Sequence, residues 1–146
     1  LNIKIDSPSP QLALAEVERY LEFMRPSLVY GGFDLSDEQF TSNIESGETL
    51  LIRVWDGDEL ISVSAVETRE LADGKDLYII ATASKRDIDK WIGEFDQALV
   101  QLATEAGCDT ITVLTRNGMG RIASREYGYR VHQVTIRKRV SEWAVH

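Results

Sequence analysis

Apolar and polar residues alternate from Asn2 to Asp6, with Ile3 and Ile5 on one side, until Ser7-Pro8-Ser9-Pro10 breaks the period. That pattern predicts a short strand closed by a turn. From Gln11 the spacing turns helical. Leu14, Val17, Leu21 and Met24 share a stripe, Ser9 is placed to cap it, Pro10 suits a first turn, and Pro26 is expected to stop the run. Ser36-Asp37-Glu38-Gln39 has the form of a capping box. There the Ser36 oxygen accepts from the Gln39 amide and the Gln39 side chain reaches back, opening a second helix that ends near Ile44. Tyr30-Gly31-Gly32-Phe33 between them reads as a loop, because paired glycines admit backbone angles closed to other residues.

The middle of the chain returns to period two. Leu50, Ile52 and Val54 alternate with Leu51, Arg53 and Trp55, Asp56-Gly57-Asp58 marks a turn, and Ile61, Val63 and Ala65 resume the alternation, which predicts a hairpin. A second turn at Ala72-Asp73-Gly74-Lys75 leads into Leu77–Ala81, an apolar run suited to a strand buried on both faces. Ile88, Trp91, Ile92, Phe95, Leu99, Leu102 and Ala106 then form the stripe of a long helix, with Gly107 where it ends. Ile111, Val113 and Leu114 predict a strand, Gly118 to Tyr127 a short helix, and Val131 to Val140 a final strand. The order is β-α-α-β-β-β-α-β-α-β. A long helix between two strands implies a parallel crossover, whereas the hairpin is antiparallel, so the expected fold is α/β, with a mixed, mostly antiparallel sheet and helices on both faces.

Composition narrows the chemistry. A length of 146 residues suits one domain, 1–146. The lone Cys108, with only His132 and His146 beside it, gives no metal-ligand set and no disulfide. A net charge of −8 argues against strong nucleic-acid binding, which draws on phosphate neutralisation. There is neither an apolar run of the roughly eighteen residues a membrane span needs nor a signal-like amino end, so a soluble protein of a bacterial cytoplasm or a virion, not secreted, is expected.

The carboxyl half carries a resemblance. Leu102-Ala103-Thr104-Glu105-Ala106-Gly107 before Thr110-Ile111-Thr112-Val113, and Asn117 spaced from Gly128-Tyr129, resemble the GNAT acyl-CoA-dependent acetyltransferases, which implies a GNAT-like fold. More narrowly, Gly107-Cys108, Arg116, Gly118, Arg121 and Gly128-Tyr129 resemble GNAT-like proteins encoded among the virion genes of short-tailed phages.

The superfamily's acetyl-CoA loop, Arg/Gln-x-x-Gly-x-Gly/Ala, would fall at Asp87-Ile88-Asp89-Lys90-Trp91-Ile92, where no glycine stands and two aspartates do. If the cofactor binds, the resemblance implies Lys85, Arg86, Lys90 and Asn117 as its contacts. On the catalytic side Ser124 occupies the place of the family's thiolate-protonating Tyr, with Tyr127 nearby, and Glu67 is a candidate general base weighed against a merely solvated carboxylate. Arg130, Arg137, Lys138 and Arg139 on the last strand read as edge protection, and that strand with Trp143 as a contact for another copy of the chain.

These features favour a non-catalytic GNAT-fold protein of phage type, without a cofactor, acting through other protein subunits as an internal or tail-associated virion component. The alternative is an N-acetyltransferase moving an acetyl group from acetyl-CoA to an amine. A small acidic regulator of a host protein is a third reading.

Overall fold

The computed structural model describes residues 2–30, 36–85, 88–113 and 125–129. The chain forms two compact units, Leu1–Thr115 and Arg116–His146. The first holds five strands in the spatial order of their sequence: β1 Ile3–Asp6, β2 Leu50–Asp56, β3 Glu59–Leu71, β4 Gly74–Ser84 and β5 Thr110–Val113. β1 to β4 pair antiparallel, and β5 joins β4 in parallel. A parallel neighbour needs a crossover. It is made by a single turn of tighter helix at Ile88–Lys90 and then α4, Ile92–Glu105. The remaining helices are α1 Pro10–Ala15, α2 Val17–Tyr30 and α3 Asp37–Ser46.

Two apolar layers show which face each helix covers. Ala13, Tyr20, Leu21, Met24, Phe40 and Ile44 from α1–α3 pack with Leu51, Leu60, Val63, Ala65 and Ile80 of the sheet. On the other face Phe95, Leu99 and Ala103 of α4, with Trp91 just before it, meet Ile52, Val54, Val66, Leu77 and Ile79. The mixed, mostly antiparallel sheet with helices on both faces is therefore as expected. The short helix and long strand expected after β5 lie outside the described residues, apart from a helical Arg125–Glu126.

Several local expectations change. The first helix is two, because α1 stops at Glu16 and α2 continues through Pro26 to Tyr30. Proline inside a helix costs about 3 kcal/mol. Tyr20, Leu21 and Met24 are all at most 1% exposed, and burying large side chains at roughly 1.5–3 kcal/mol each outweighs that cost. At α3 the Ser36 hydroxyl accepts from the Gln39 amide at 3.1 Å, but the Gln39 side chain donates to Asn43 instead of reaching back. The Tyr30–Phe33 loop lies outside the described residues except for Tyr30, which ends α2. α4 begins at Ile92, later than the stripe from Ile88 implied, and ends as expected, with Gly107 at a φ of 73°. There the Lys75 ammonium donates to the Ala106 carbonyl at 3.0 Å, a cation on the negative end of the helix.

Two bulges shape the sheet. Val54 pairs Ser62 while Trp55 pairs Leu60, so Ile61 is an extra residue in β3. Ala65 pairs Ala81 while Val66 pairs Ile79, so Ile80 is an extra residue in β4. An unpaired residue tightens the local twist and turns the following side chains to the other face.

Candidate active site

Beyond the bulge at Ile80, the face of the sheet carrying α1–α3 changes from apolar to polar. Glu67 pairs Tyr78, which pairs Thr112, and one step further along the strands Arg69 pairs Asp76, which pairs Thr110. Residues two apart on a strand share a face, so these six form two adjacent rows across β3, β4 and β5.

Asp76 anchors them. It is 0% exposed and accepts from Arg69 Nε at 2.8 Å, Thr110 Oγ1 at 2.7 Å and Thr112 Oγ1 at 3.0 Å. A buried carboxylate is tolerable only when paired and hydrogen-bonded, and this one is both. The Arg69 guanidinium also lies 4.0 Å from the centre of the Tyr78 ring. Tyr78 and Glu67 are half-buried. Burial raises the pKa of both, with the Glu48 charge adding to the effect on Glu67 and Arg69 opposing it. Glu67 is thus a mid-strand carboxyl whose affinity for a proton is increased, a property a general base uses near neutral pH.

The other candidates are dispersed. The Lys85 ammonium lies 5.0 Å from the Phe23 ring of α2, while its amide donates to the Ile61 carbonyl at 2.9 Å. Lys90 is exposed in the turn before α4. Tyr127 is half-buried in the second unit, next to Gly128 at a φ of 76°. Arg86, Asn117 and Ser124 lie outside the described residues, as do the basic strip, His132, the last strand and Trp143. Among the described residues no group of His, Cys, Asp or Glu could hold a metal ion, and no helix is long and apolar enough to cross a membrane.

The start of α4 bears on the acetyl-CoA loop. Gly93 sits in the first turn of the helix, and Trp91 occupies the cap position without a side-chain hydrogen bond. First-turn amides are donors aimed along the helix axis, the feature that suits a helix start to a phosphate. Asp89 is exposed to solvent in the preceding turn. The described parallel pairing of β4 and β5 ends at Ile79 and Val113, beside the bulge at Ile80.

Sequence reasoning singled out Glu67 as a candidate and passed over its neighbours Arg69, Tyr78, Asp76, Thr110 and Thr112. On β4 and β5 the signal was polar residues alternating with apolar ones, Asp76-Leu77-Tyr78-Ile79 and Thr110-Ile111-Thr112-Val113, whereas Glu67–Glu70 on β3 is polar throughout.

The sequence matches no protein-family model and no curated protein. Solved structures do match. An aminoglycoside acetyltransferase from an uncultured soil metagenomic sample, in complex with sisomicin, superposes with a TM-score of 0.68 at 14% identity, over 94% of this chain and 95% of that one. A predicted acetyltransferase with acetyl-CoA from Clostridium acetobutylicum gives 0.67 at 14%, over 96% and 97%. A GNAT family acetyltransferase from Staphylococcus aureus gives 0.62 at 12%, over 95% and 99%. At such identities the likeness is one of fold, and the fold is that of the GNAT acetyltransferases.

This corrects the reading of a non-catalytic virion component. The fold is shared over nearly the whole chain with acetyltransferases, and none of these structures is a phage or virion protein. With α4 opening at Ile92, the aspartate at 89 precedes the first-turn amides, and Gly93 falls within that turn.

Proposed function

We propose that the chain is an acetyl-CoA-dependent N-acetyltransferase. The observation that carries this reading is the half-buried Glu67, with its raised pKa, on the strand beside the β4 bulge of an acetyltransferase fold. The first turn of α4, Ile92 to Glu94, whose cap residue Trp91 makes no side-chain hydrogen bond, is suited to the diphosphate, with Lys90 adjacent. Acetyl-CoA supplies an activated acetyl thioester. The acceptor enters as an ammonium, and Glu67 takes one proton from it to expose the nitrogen lone pair. The nitrogen forms a bond to the acetyl carbon, the carbon–sulfur bond breaks, and the second proton ends on the coenzyme A thiol. A soil aminoglycoside acetyltransferase and a predicted acetyltransferase with acetyl-CoA among the fold relatives support this choice of chemistry.

The test is thiol release from acetyl-CoA in the presence of a broad panel of primary amines. Turnover is expected with at least one class, and Glu67→Gln is expected to lower kcat by roughly 100-fold, the lower range for loss of a general base. Turnover unaffected by that substitution would remove Glu67 from the mechanism; no turnover with any amine would refute the reading.

A further inference from the structure

We propose that the acceptor is a primary amine carrying a carboxylate, of the α-amino-acid type, with Arg69 binding the carboxylate while Glu67 binds the amine. The inference rests on the acetyltransferase reading and names the substrate class of the same site.

The argument begins with what holds Arg69. Its Nε donates to the buried Asp76, and its guanidinium carbon lies 4.0 Å from the centre of the Tyr78 ring. Those two contacts hold the guanidinium and leave the two terminal nitrogens with no partner among the described residues. The side chain keeps 38% of its surface exposed. A guanidinium oriented from behind by a carboxylate and an aromatic ring, with its outer fork open, is the geometry that takes a planar carboxylate through two parallel hydrogen bonds. Asp76 is also satisfied by Thr110 and Thr112, so it is not Arg69 alone that keeps it buried.

Glu67 lies two residues before Arg69 on the same strand face, a separation of about 6.6 Å along the backbone. Opposite charges so placed commonly pair, yet among the described residues no ion pair joins them. Burial and the Glu48 charge raise the Glu67 pKa and the Arg69 charge offsets this only in part, while no ammonium or guanidinium pairs directly with Glu67 among the described residues. An ammonium supplied by a ligand provides that partner. A molecule with its ammonium and carboxylate on one carbon satisfies both side chains at once, and it does so in only one orientation, with the nitrogen toward Glu67 and the bulge at Ile80. A simple amine leaves the Arg69 fork without an anion.

The experiment has two arms. Calorimetry measures binding of a panel of amino acids, the corresponding amino-acid amides and the decarboxylated amines to the full chain, without acetyl-CoA. At least one amino acid is expected to bind 10-fold or more tightly than its amide and its decarboxylated amine, with the preference reduced at least 5-fold in Arg69→Lys. Thiol release is measured on the same panel, and the same ranking is expected in kcat/KM. Equal or tighter binding of the amides or simple amines, or no binding by any amino acid, would overturn the inference, and the wild-type comparison decides this even if the variant fails to fold. Binding with the expected preference but no acetyl transfer would support the carboxylate site while refuting the acetyltransferase reading. Transfer to simple amines but not to amino acids would do the reverse.

Discussion

Removing the Asp6 carboxylate should unfasten the first strand and the first two helices together. Arg53, on β2, points its guanidinium at Asp6 of β1 through two hydrogen bonds, Nε to Oδ1 at 2.7 Å and Nη2 to Oδ2 at 2.8 Å. It also donates to the Tyr20 hydroxyl of α2 at 3.0 Å, and that hydroxyl donates on to Glu16 at 2.9 Å. The Trp55 indole donates to the same Asp6 at 3.2 Å. The Arg53 side chain is 11% exposed, so Asp6→Ala strands a nearly buried cation, a change that costs about 3–5 kcal/mol. Asp6 is 32% exposed, so water can enter its place, and the lower end, about 3 kcal/mol, is expected. With a urea slope of about 2 kcal/mol/M, the unfolding midpoint should fall by about 1.5 M. The double variant Asp6→Ala with Arg53→Met should recover most of that loss, because replacing a buried pair by apolar groups is close to neutral. Urea titrations followed by tryptophan fluorescence measure both. A single-variant loss below about 1 kcal/mol, or a double variant no better than the single, would refute the reasoning that the pair, and not the strand pairing around it, holds this edge.

Other outcomes follow from single groups. Thr49 Oγ1 is buried without a hydrogen-bond partner among the described residues, so Thr49→Val, which keeps the shape and removes the orphan, should raise stability by about 1 kcal/mol in the same titration. Gly74 has a φ of 154°, and an added Cβ would meet the Asp109 carboxylate that accepts from the Lys75 amide; Gly74→Ala should cost about 2 kcal/mol, and a neutral result would exclude the tight β4–β5 approach. Because the folded state raises the Glu67 pKa, it holds that proton more tightly than the unfolded chain does. The stability this contributes is complete below the ordinary glutamate range and is lost as pH rises through the folded-state pKa. Glu67→Gln should therefore match the wild type at low pH and exceed it at neutral pH, and parallel pH–stability curves would contradict the burial of this carboxyl.

The strands and helices were legible in the sequence wherever one period dominated. Ile3 to Ile5, the Leu50–Ala65 hairpin and the α4 stripe ending at Gly107 each had a single reading. Pro26 misled because a local steric rule was set against Tyr20, Leu21 and Met24, whose burial depends on the rest of the fold. The polar rows escaped notice for a different reason. A turn centred on Ala72 and Asp73 pairs Leu71 with Gly74 and so puts Glu67 opposite Tyr78 and Arg69 opposite Asp76. Reading that turn as Ala72–Lys75 would shift the pairing by two residues and put Glu67 opposite Ile80 and Arg69 opposite Tyr78, so the observed rows could not be seen. The bulge at Ile80 carries no local signal, since Leu77–Ala81 is apolar on both sides of it.

Calorimetric titration of the full chain with acetyl-CoA bears most directly on whether this fold works as an acetyltransferase. A dissociation constant in the micromolar range, with desulfo-coenzyme A binding comparably and pantetheine, which lacks the diphosphate, far more weakly, is the result expected if the first turn of α4 takes the diphosphate. No measurable binding at millimolar acetyl-CoA would contradict it.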